Sequence, residues 1–357
     1  MTSPNPHAWT LSDLKSVPQN GVRVMSTFSC GGGSTMGYKR AGCEVIAAND
    51  IDPEMAWHYR TNHNPRHYLL CPIRDLLTAT LPPELFDLDI LDGSPPCSTF
   101  SVAGDREAAW GVEKHFREGQ SKQVLSDLFF DFIEVAERLR PRVVIAENVK
   151  GMLLGRAKGY TRKVMQRLRE IGYRPQLFLV NAADCGVPQT RERVFFCAVR
   201  DDIKVPPLRL APTHRWVSVI EATSDLQSLT PEEVAETDLS RSNFNRVWWP
   251  LTKPGDNYST ALKRAKLPEK YWNHYRLDGS KPSRTVVSVD ILKHWSSFRS
   301  LTLREIKRLG SFPDDYAVKS SRVGKYLIGM SVPPKMTEAV ARAVSEQWLG
   351  KVTRPNG

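Results

Sequence analysis

The sequence predicts an α/β protein in which a doubly wound, mostly parallel, Rossmann-like sheet carries a smaller and irregular second domain. Three observations lead to this fold class. Short apolar runs alternate with helical patterns over residues 22–199, as they do in parallel sheets. Most of these runs end in glycine or polar residues, which suit the ligand edge of such a sheet. After residue 206 the alternation fades, and the chain of 357 residues is long enough for a second domain.

The first two predicted strands end in residues that suit a nucleoside. The first strand covers residues 22–28 and is followed by Gly31–Gly33 and by a helix that ends near Arg40. The second strand, residues 45–48, leads to Asp50. Glycines let the backbone approach a ligand closely, and an acid at the next strand end can accept both ribose hydroxyls. By itself this pair also fits a dinucleotide or a plain tight turn.

The third predicted strand leads to a candidate nucleophile. Residues 88–91 precede the segment Asp-Gly-Ser-Pro-Pro-Cys, which ends at Cys97. Two prolines stiffen this turn and present the thiol at the ligand edge of the sheet. A thiol is a strong nucleophile even when only a small fraction of it is ionised. Most free thiols are buried and inert, which is how we interpret Cys43, Cys71 and Cys197, whereas Cys97 is the predicted nucleophile.

The next predicted elements bring a carboxyl group to the same edge. Apolar residues at helical spacing predict a helix over residues 126–140, and the buried strand 143–146 ends at Glu147. Because parallel strands end at one edge of a sheet, we expect Glu147 to lie near Cys97. An ordinary helix cap is the simpler interpretation of such an acid.

Two arginines precede the last of the predicted strands, which cover residues 177–180 and 194–199. Gln189, Arg191 and Arg193 alternate along the chain, so their side chains can share one face. Two arginines beside a buried site are costly unless they bind an anionic or polar group. We therefore expect this face to bind such a group.

Residues 206–280 are rich in proline, tryptophan and charge and show no clear period. From Arg241 to Arg276 there are eight basic residues against two acidic ones, with aromatic residues interleaved. This mixture suits phosphate contact and base stacking, although a small core with a charged rim has the same composition. The α/β character returns in a final helix, whose apolar face carries Met336, Val340, Val344 and Trp348.

Charge and composition favour a nucleic acid partner and argue against a membrane protein. The formal net charge is +11 and the pI is about 9.4, which attracts phosphates, although many soluble proteins are equally basic. The six cysteines form no CxxC pair and no zinc-ligand spacing, so we expect free thiols and no metal site. No signal peptide or membrane span is recognisable. We expect a soluble, cytoplasmic protein associated with the nucleoid.

Five segments, taken in order, resemble the DNA cytosine-5 methyltransferase family in its prokaryotic or phage type. They are Phe28–Gly33, Pro95-Pro96-Cys97, Glu147-Asn148-Val149, Gln189-x-Arg191-x-Arg193 and Gly329–Pro334. Residues 281–285 and 309–314 look like two further family segments. The resemblance covers residues 22–200 and 281–345, and it implies the fold of S-adenosylmethionine-dependent methyltransferases. Residues 206–280 match nothing recognisable, as the family's variable target-recognition region implies.

The resemblance implies a covalent mechanism in which Cys97 attacks carbon 6 of cytosine and so activates carbon 5 for methylation. Glu147 would hold ring N3 with a shared proton, and Arg193 would hold the O2 side. Arg191 would brace Cys97, Glu147 or a nearby phosphate. These atoms are out of reach inside a duplex, so the base must be flipped out. Residues 98–124, which are rich in glycine and charge, are predicted to form a lid over it.

The resemblance also places S-adenosylmethionine at the carboxyl edge of the sheet. The implied contacts are Phe28, Gly31, Gly32 and Gly33 at the methionine end, Asp50 at the ribose, Ile51 and Ile73 at the adenine, and Pro95 and Ser331 closing the pocket. Three positions depart from the family pattern. Cys30 stands in place of a glycine, Pro72 in place of an aspartate and Met330 in place of an asparagine.

The implied organisation is a catalytic domain (residues 1–205), a target-recognition domain (206–300) and a C-terminal segment that returns to the catalytic domain (301–357). We expect a monomer that methylates double-stranded DNA at a specific sequence and works alongside a cognate restriction endonuclease. Two alternatives are the same chemistry on RNA, as in the family's transfer-RNA branch, and a catalytically inactive DNA-binding relative. The Cys-Phe-Thr signature of that branch is absent, and both Cys97 and Glu147 are intact, so DNA methylation is favoured.

Overall fold

The computed structural model describes residues 5–96, 127–155, 157–211, 215–267 and 272–350, together with a pair of two-residue antiparallel strands at Glu113–Lys114 and Gln123–Val124. The chain forms two compact units. The first, here called the sheet unit, comprises residues 14–181, 192–212 and 336–357. The second, the small unit, comprises residues 1–13, 182–191 and 213–335.

The sheet unit is built on seven strands. They are β1 (Arg23–Thr27), β2 (Glu44–Asp50), β3 (His67–Leu70), β4 (Ile90–Gly93), β5 (Val143–Val149), β6 (Tyr173–Asn181) and β7 (Glu192–Arg200). Their order across the sheet is β3-β2-β1-β4-β5-β7-β6. All neighbouring pairs are parallel except β5–β7 and β7–β6. The predicted mostly parallel, doubly wound sheet is confirmed, and its strand order reverses between β1 and β4, where such sheets bind ligands.

Four helices accompany this sheet: α1 (Gly33–Arg40), α2 (Pro53–His63), α3 (Leu128–Leu139) and α4 (Ala157–Glu170). Helix α2 begins sharply because the Asp52 carboxylate accepts hydrogen bonds from the backbone N–H groups of Glu54 and Met55. Helix α3 supplies much of the core, since eight of its twelve residues are buried. They pack against buried residues of the central strands, including Leu91, Val144 and Phe196.

The small unit consists of short helices, with two strands of two residues each, β8 (Tyr275–Arg276) and β9 (Leu292–Lys293). A serine, threonine or asparagine side chain caps the N-terminus of α5 to α10. These caps define helix starts where the sequence has no clear period. The helices are α5 (Val219–Thr223), α6 (Pro231–Thr237), α7 (Asn243–Leu251), α8 (Tyr258–Arg264), α9 (Leu303–Leu309) and α10 (Ser321–Met330).

The last helix, α11 (Pro334–Val344), starts at the end of the small unit and continues in the sheet unit as a π turn over Ser345–Leu349. Residues 301–335 share the small unit with residues 213–300, and residues 336–357 belong to the sheet unit. None of the helices that the structure describes combines the length and the hydrophobicity that crossing a membrane requires.

Candidate active site

A carboxylate and a guanidinium group meet where β5 and β7 run side by side. Antiparallel pairing places Glu147 opposite Phe195, so that Arg193, two residues before Phe195, is its diagonal neighbour on the same face. Arg193 Nε lies 2.8 Å from Glu147 Oε1. Both side chains are largely buried, with 16% and 10% of their surface exposed. The two residues that the sequence predicted to hold a cytosine are therefore neighbours, and part of each still reaches solvent.

The end of β5 also fastens the chain that leads to Cys97. Asn148, which is buried, donates from Nδ2 to the backbone oxygen of Pro95 at 3.0 Å. The Asn148 side-chain oxygen in turn accepts the backbone N–H of Val149. Cys97 itself lies outside the described residues. The same is true of the predicted lid, residues 98–124, apart from the paired strands noted above.

Gln189 and Arg191 are buried in the small unit, where both bind main-chain groups. The Arg191 guanidinium donates to the carbonyl oxygens of Val286 at 2.9 Å and of Gly329 at 3.2 Å. Gln189 accepts the N–H of Val286 and donates to the carbonyl of Leu309, each at 2.9 Å. The sequence did not predict these partners. A role of Arg191 in bracing Cys97, Glu147 or a phosphate stays a prediction.

The loop after β1 has an unusual backbone conformation. Phe28, Cys30 and Gly32 all have positive φ angles, of 52°, 46° and 82°, which is uncommon for the first two. The backbone N–H of Cys30 donates to Asp50 Oδ2 at 2.7 Å, and that of Asp52 donates to Oδ1 at 2.9 Å. The loop is thus tied to the end of β2. Burial raises the pKa of Asp50, and these N–H bonds act against the rise.

A buried histidine supports this loop from α2. His63 Nε2 lies 3.2 Å from the Gly31 carbonyl oxygen, and a Cβ atom on Gly32 would come within 2.2 Å of the same nitrogen. Burial lowers the pKa of His63 to about 3, and the charge of Lys39 adds to this effect. The ring is therefore neutral near pH 7, and Nε2–H donates to Gly31. The sequence contained no signal for this contact, which joins residues 32 positions apart.

The other predicted cofactor residues lie in both units. Ile73 and Pro95 are buried in the sheet unit, where Ile51 is partly exposed just after β2. Ser331 follows α10 in the small unit, is buried, and donates to the carbonyl of Leu327 at 2.8 Å. Of the three departures from the family pattern, Met330 is 54% exposed.

The residues after β1 and β2 fit a nucleoside cofactor. The Asp50 carboxylate is oriented by the backbone N–H groups of Cys30, Ile51 and Asp52, and since a carboxylate has about four lone-pair sites it keeps acceptor capacity for a ribose hydroxyl. This donor set fits the S-adenosylmethionine that the sequence predicts.

Comparison with known proteins shows the same family over most of the chain. The family model for C-5 cytosine-specific DNA methylases matches residues 22–346. Type II methyltransferase M.NgoPII of Neisseria gonorrhoeae is 27% identical, over 92% of this chain and 96% of that protein. Type II methyltransferase M1.HphI of Haemophilus parahaemolyticus is 29% identical, over 90% and 86%.

Solved structures agree in fold. A prophage-encoded protein of Escherichia coli, described as a DNA modification methyltransferase, superposes with a TM-score of 0.68 at 20% identity, covering 91% of this chain and 98% of that one. The DNMT2 of Spodoptera frugiperda superposes with a TM-score of 0.62 at 18% identity, covering 91% and 99%.

Proposed function

This chain belongs to the family of C-5 cytosine-specific DNA methylases, and from that premise we propose how its residues transfer a methyl group from S-adenosylmethionine to carbon 5 of cytosine in DNA. The observation that carries the proposal is the Glu147–Arg193 pair, 2.8 Å apart at the end of β5. The next residue, Asn148, holds Pro95, two positions before Cys97. An acid, a guanidinium group and the segment leading to the nucleophile thus start from adjacent strands.

The chemistry begins with the flipped cytosine, whose carbon 5 is a poor nucleophile. The Cys97 thiolate adds to carbon 6, and the new carbon–sulfur bond pushes electron density onto carbon 5 and ring N3. When bound, S-adenosylmethionine would supply an electrophilic methyl group on a sulfonium centre, whose sulfur keeps the electron pair of the broken S–CH3 bond and leaves as a neutral thioether. After carbon 5 has taken this methyl group, a base removes its proton, and the electron pair left behind expels Cys97.

Glu147 and Arg193 support the addition step by holding the Watson–Crick edge of the base. Glu147 shares a proton with N3, which accepts the electron density that Cys97 pushes into the ring. Arg193 donates to O2 from its guanidinium, whose planar fork can keep one donor on Glu147. Because the pair is partly buried, these charge-assisted bonds are stronger than they would be in water.

The residues after β1 and β2 would hold S-adenosylmethionine. Asp50 would accept the ribose hydroxyls, and the main chain of Phe28–Gly33 would approach the methionine end. Ile51, Ile73 and Pro95 would supply apolar contacts to the adenine and to the reacting end of the site. The family resemblance adds Ser331 to the residues that contact the cofactor.

We assign target recognition to residues 206–300, most of which lie in the small unit and which include the basic and aromatic cluster at residues 241–276. The enzyme acts on double-stranded DNA as a monomer. It is paired in function with a restriction endonuclease, as the Type II names of its relatives suggest.

Trapping on 5-fluorocytosine tests the proposal, because fluorine at carbon 5 blocks the last elimination. The wild-type enzyme, incubated with S-adenosylmethionine and duplex DNA containing 5-fluorocytosine, should form a denaturation-resistant protein–DNA adduct. Cys97→Ala should form none while still binding the cofactor, and Cys197→Ala, which removes a buried thiol, serves as the matched control. Absence of the wild-type adduct would favour an inactive DNA-binding protein, and higher methyl incorporation into transfer RNA than into duplex DNA would favour the RNA alternative.

A further inference from the structure

Asp92 is a buried acid that the mechanism above does not use. It lies near the end of β4, is 3% exposed, and precedes Cys97 by five positions. Ser26 Oγ donates to its Oδ2 at 2.8 Å, and the hydroxyl of Tyr38 donates to its Oδ1 at 3.0 Å. None of its described partners is a basic side chain. A buried carboxyl group without a counter-ion is costly, and such groups concentrate at functional sites.

The chain that leaves Asp92 toward Cys97 is held on both sides. Thr27 Oγ1 donates to the main-chain oxygen of Asp92 at 2.9 Å. A Cβ atom on Gly93 would come within 2.6 Å of Thr27 Oγ1, so only glycine leaves this packing undisturbed. Two residues after Gly93, the carbonyl oxygen of Pro95 accepts a hydrogen bond from the Asn148 side chain. The segment from Asp92 to Pro95 is therefore fixed against β1 at one end and against β5 at the other.

Strand register brings Asp92 close to Glu147. Parallel pairing places Asp92 opposite Ile145, and Glu147 lies two residues further along β5. Residues two apart in a strand point to the same face, so Asp92 and Glu147 are diagonal neighbours on one face of the sheet. Burial raises the pKa of Asp92 to about 7, and the charge of Glu147 adds to the rise, whereas the two hydroxyl bonds act against it.

The other titratable groups around Asp92 stay neutral near pH 7. Tyr38 on α1 and Tyr59 on α2 both interact with the Asp92 charge, and burial raises the pKa of each. Burial likewise raises the pKa of Cys43 and of Cys197, the thiols next to Tyr38. Among the described residues, the charge that acts on Asp92 from its surroundings is that of Glu147, which raises the pKa of Asp92.

We propose that Asp92 is a positioning residue for methyl transfer, which through Ser26 and Tyr38 fixes the start of the loop that carries Cys97. This inference rests on the proposed roles of Cys97 and Glu147. The hydrogen bonds from Ser26 and Tyr38 are both formed when Asp92 is ionised, because both hydroxyls then donate to it. A protonated carboxyl group would need one of these hydroxyls as an acceptor. The ionised form is therefore the active one.

The test is the pH profile of the single-turnover rate, measured between pH 5.5 and 9 with saturating S-adenosylmethionine and unmethylated plasmid DNA. The wild-type rate should rise through neutral pH. Asp92→Asn should lower the rate about tenfold or more at pH 8 and remove this rise, while the Kd for the cofactor stays within about twofold. Tyr38→Phe should keep the rise but move it to higher pH, because the carboxylate loses one donor.

Asp89→Asn is the matched control, since Asp89 is a fully buried acid just before the other end of β4, bound to the N–H of Arg23 and to Arg142. It should keep the wild-type pH profile. A wild-type pH profile in Asp92→Asn would overturn the inference. Loss of the pH-dependent rise in Asp89→Asn would overturn it as well. If Asp92→Asn does not fold, an unmoved profile in Tyr38→Phe overturns it. Failure of the proposed function is distinguishable, since the wild-type enzyme would then methylate no DNA at any pH.

Discussion

Glu147 and Arg193 form a pair whose two members should act as one unit in the reaction. Glu147→Gln keeps the shape but removes the acidic proton, and Arg193→Ala removes the O2 donor and leaves Glu147 without its partner. We expect each change to lower kcat by about a hundredfold or more. The reduction in kcat of the double variant should be smaller than the product of the two single reductions. Steady-state kinetics on duplex DNA measure this. Lys158→Ala, an exposed residue on α4, is the control and should change kcat by less than about twofold.

His63 should affect cofactor binding and leave the chemical step alone. His63→Ala removes the ring that supports Gly31 and Gly32, so the loop loses one of its two supports and keeps its bond to Asp50. We expect the Kd for S-adenosylmethionine to rise about tenfold and the single-turnover rate at saturating cofactor to change little. Because the pKa of His63 is about 3, the wild-type Kd should show no step from this residue between pH 5 and 9. A large loss of rate at saturating cofactor would contradict this role.

Asp92 should make the folded protein less stable as the pH rises. Its pKa is about 7 in the folded protein against an ordinary value of 3.8, so the fold binds this proton more tightly than the unfolded chain does. The contribution of this proton to the free energy of unfolding is present in full below pH 3.8 and is lost as the pH rises through 7. It amounts to at most about 4 kcal/mol. Urea unfolding of the wild type and of Asp92→Asn at pH 5 and pH 8 measures this. The wild type should lose more stability than the variant, and parallel losses would contradict the assignment.

Single residues differed in how far the sequence could place them. Glu147 could be expected at the ligand edge because it follows a recognisable strand. Arg193 precedes its strand, so only the family resemblance placed it near Glu147, and the antiparallel direction of β7 is what brings the two together. The contacts of His63, Tyr38 and Arg191 could not be expected, because each depends on packing between segments that are distant in sequence, which no local pattern records.

At the scale of secondary structure, the central strands were predictable because their continuous apolar runs are buried on both faces of the sheet. The core runs Val143–Ala146 and Val194–Val199 lie within β5 and β7, which extend beyond them at one or both ends. The short strand β3 was not predicted, since its four residues, His67–Leu70, are only partly buried or exposed. Helix α4 was not predicted, although its buried residues Ala157, Tyr160, Val164 and Leu168 recur at helical spacing. The sequence of the small unit shows no clear helical period of apolar residues, since most of its helices span only five to nine residues and are defined by their caps.

The start of α9 should be the most sensitive cap of the small unit. Glu305 is 1% exposed, forms a capping box with Thr302, and pairs through both carboxylate oxygens with Arg299 at 2.7 and 2.8 Å. Glu305→Ala removes the carboxylate half of the capping box and leaves the largely buried Arg299 without its carboxylate partner. We expect the free energy of unfolding to fall by about 3–5 kcal/mol, as seen when buried ion pairs are broken. Urea denaturation measures it, with Glu232→Ala on α6 as an exposed acidic control; equal effects would show that the pair adds nothing to stability.

At the scale of the whole molecule, the fold of the sheet unit and the family of the chain could be predicted. The reason is that the family's motifs lie next to the ends of the predicted strands, so that both predictions rest on the same pattern. The functional domain boundaries that the sequence predicts stay a prediction. The sequence placed the return to the catalytic domain at residue 301, whereas residues up to 335 lie in the small unit, since α9 and α10 pack among its elements. Composition alone does not record such packing.

The excess of positive charge should govern DNA binding through phosphate contacts. With a formal net charge of +11, the protein releases counterions when it binds, so the logarithm of its affinity should fall linearly with the logarithm of salt concentration. Lys253 and Lys266 are exposed in the small unit, within the basic region assigned to target recognition. Replacing either by Ala should reduce the magnitude of this slope by about 1 for each phosphate that the lysine neutralises, and should weaken binding to specific and nonspecific DNA alike. Fluorescence anisotropy with the catalytically inactive Cys97→Ala protein, between about 50 and 200 mM salt, measures the slope without turnover. Lys163→Ala, an exposed change on α4, should leave the slope unchanged, and an equal change there would show that the small unit is not the basic surface that DNA contacts.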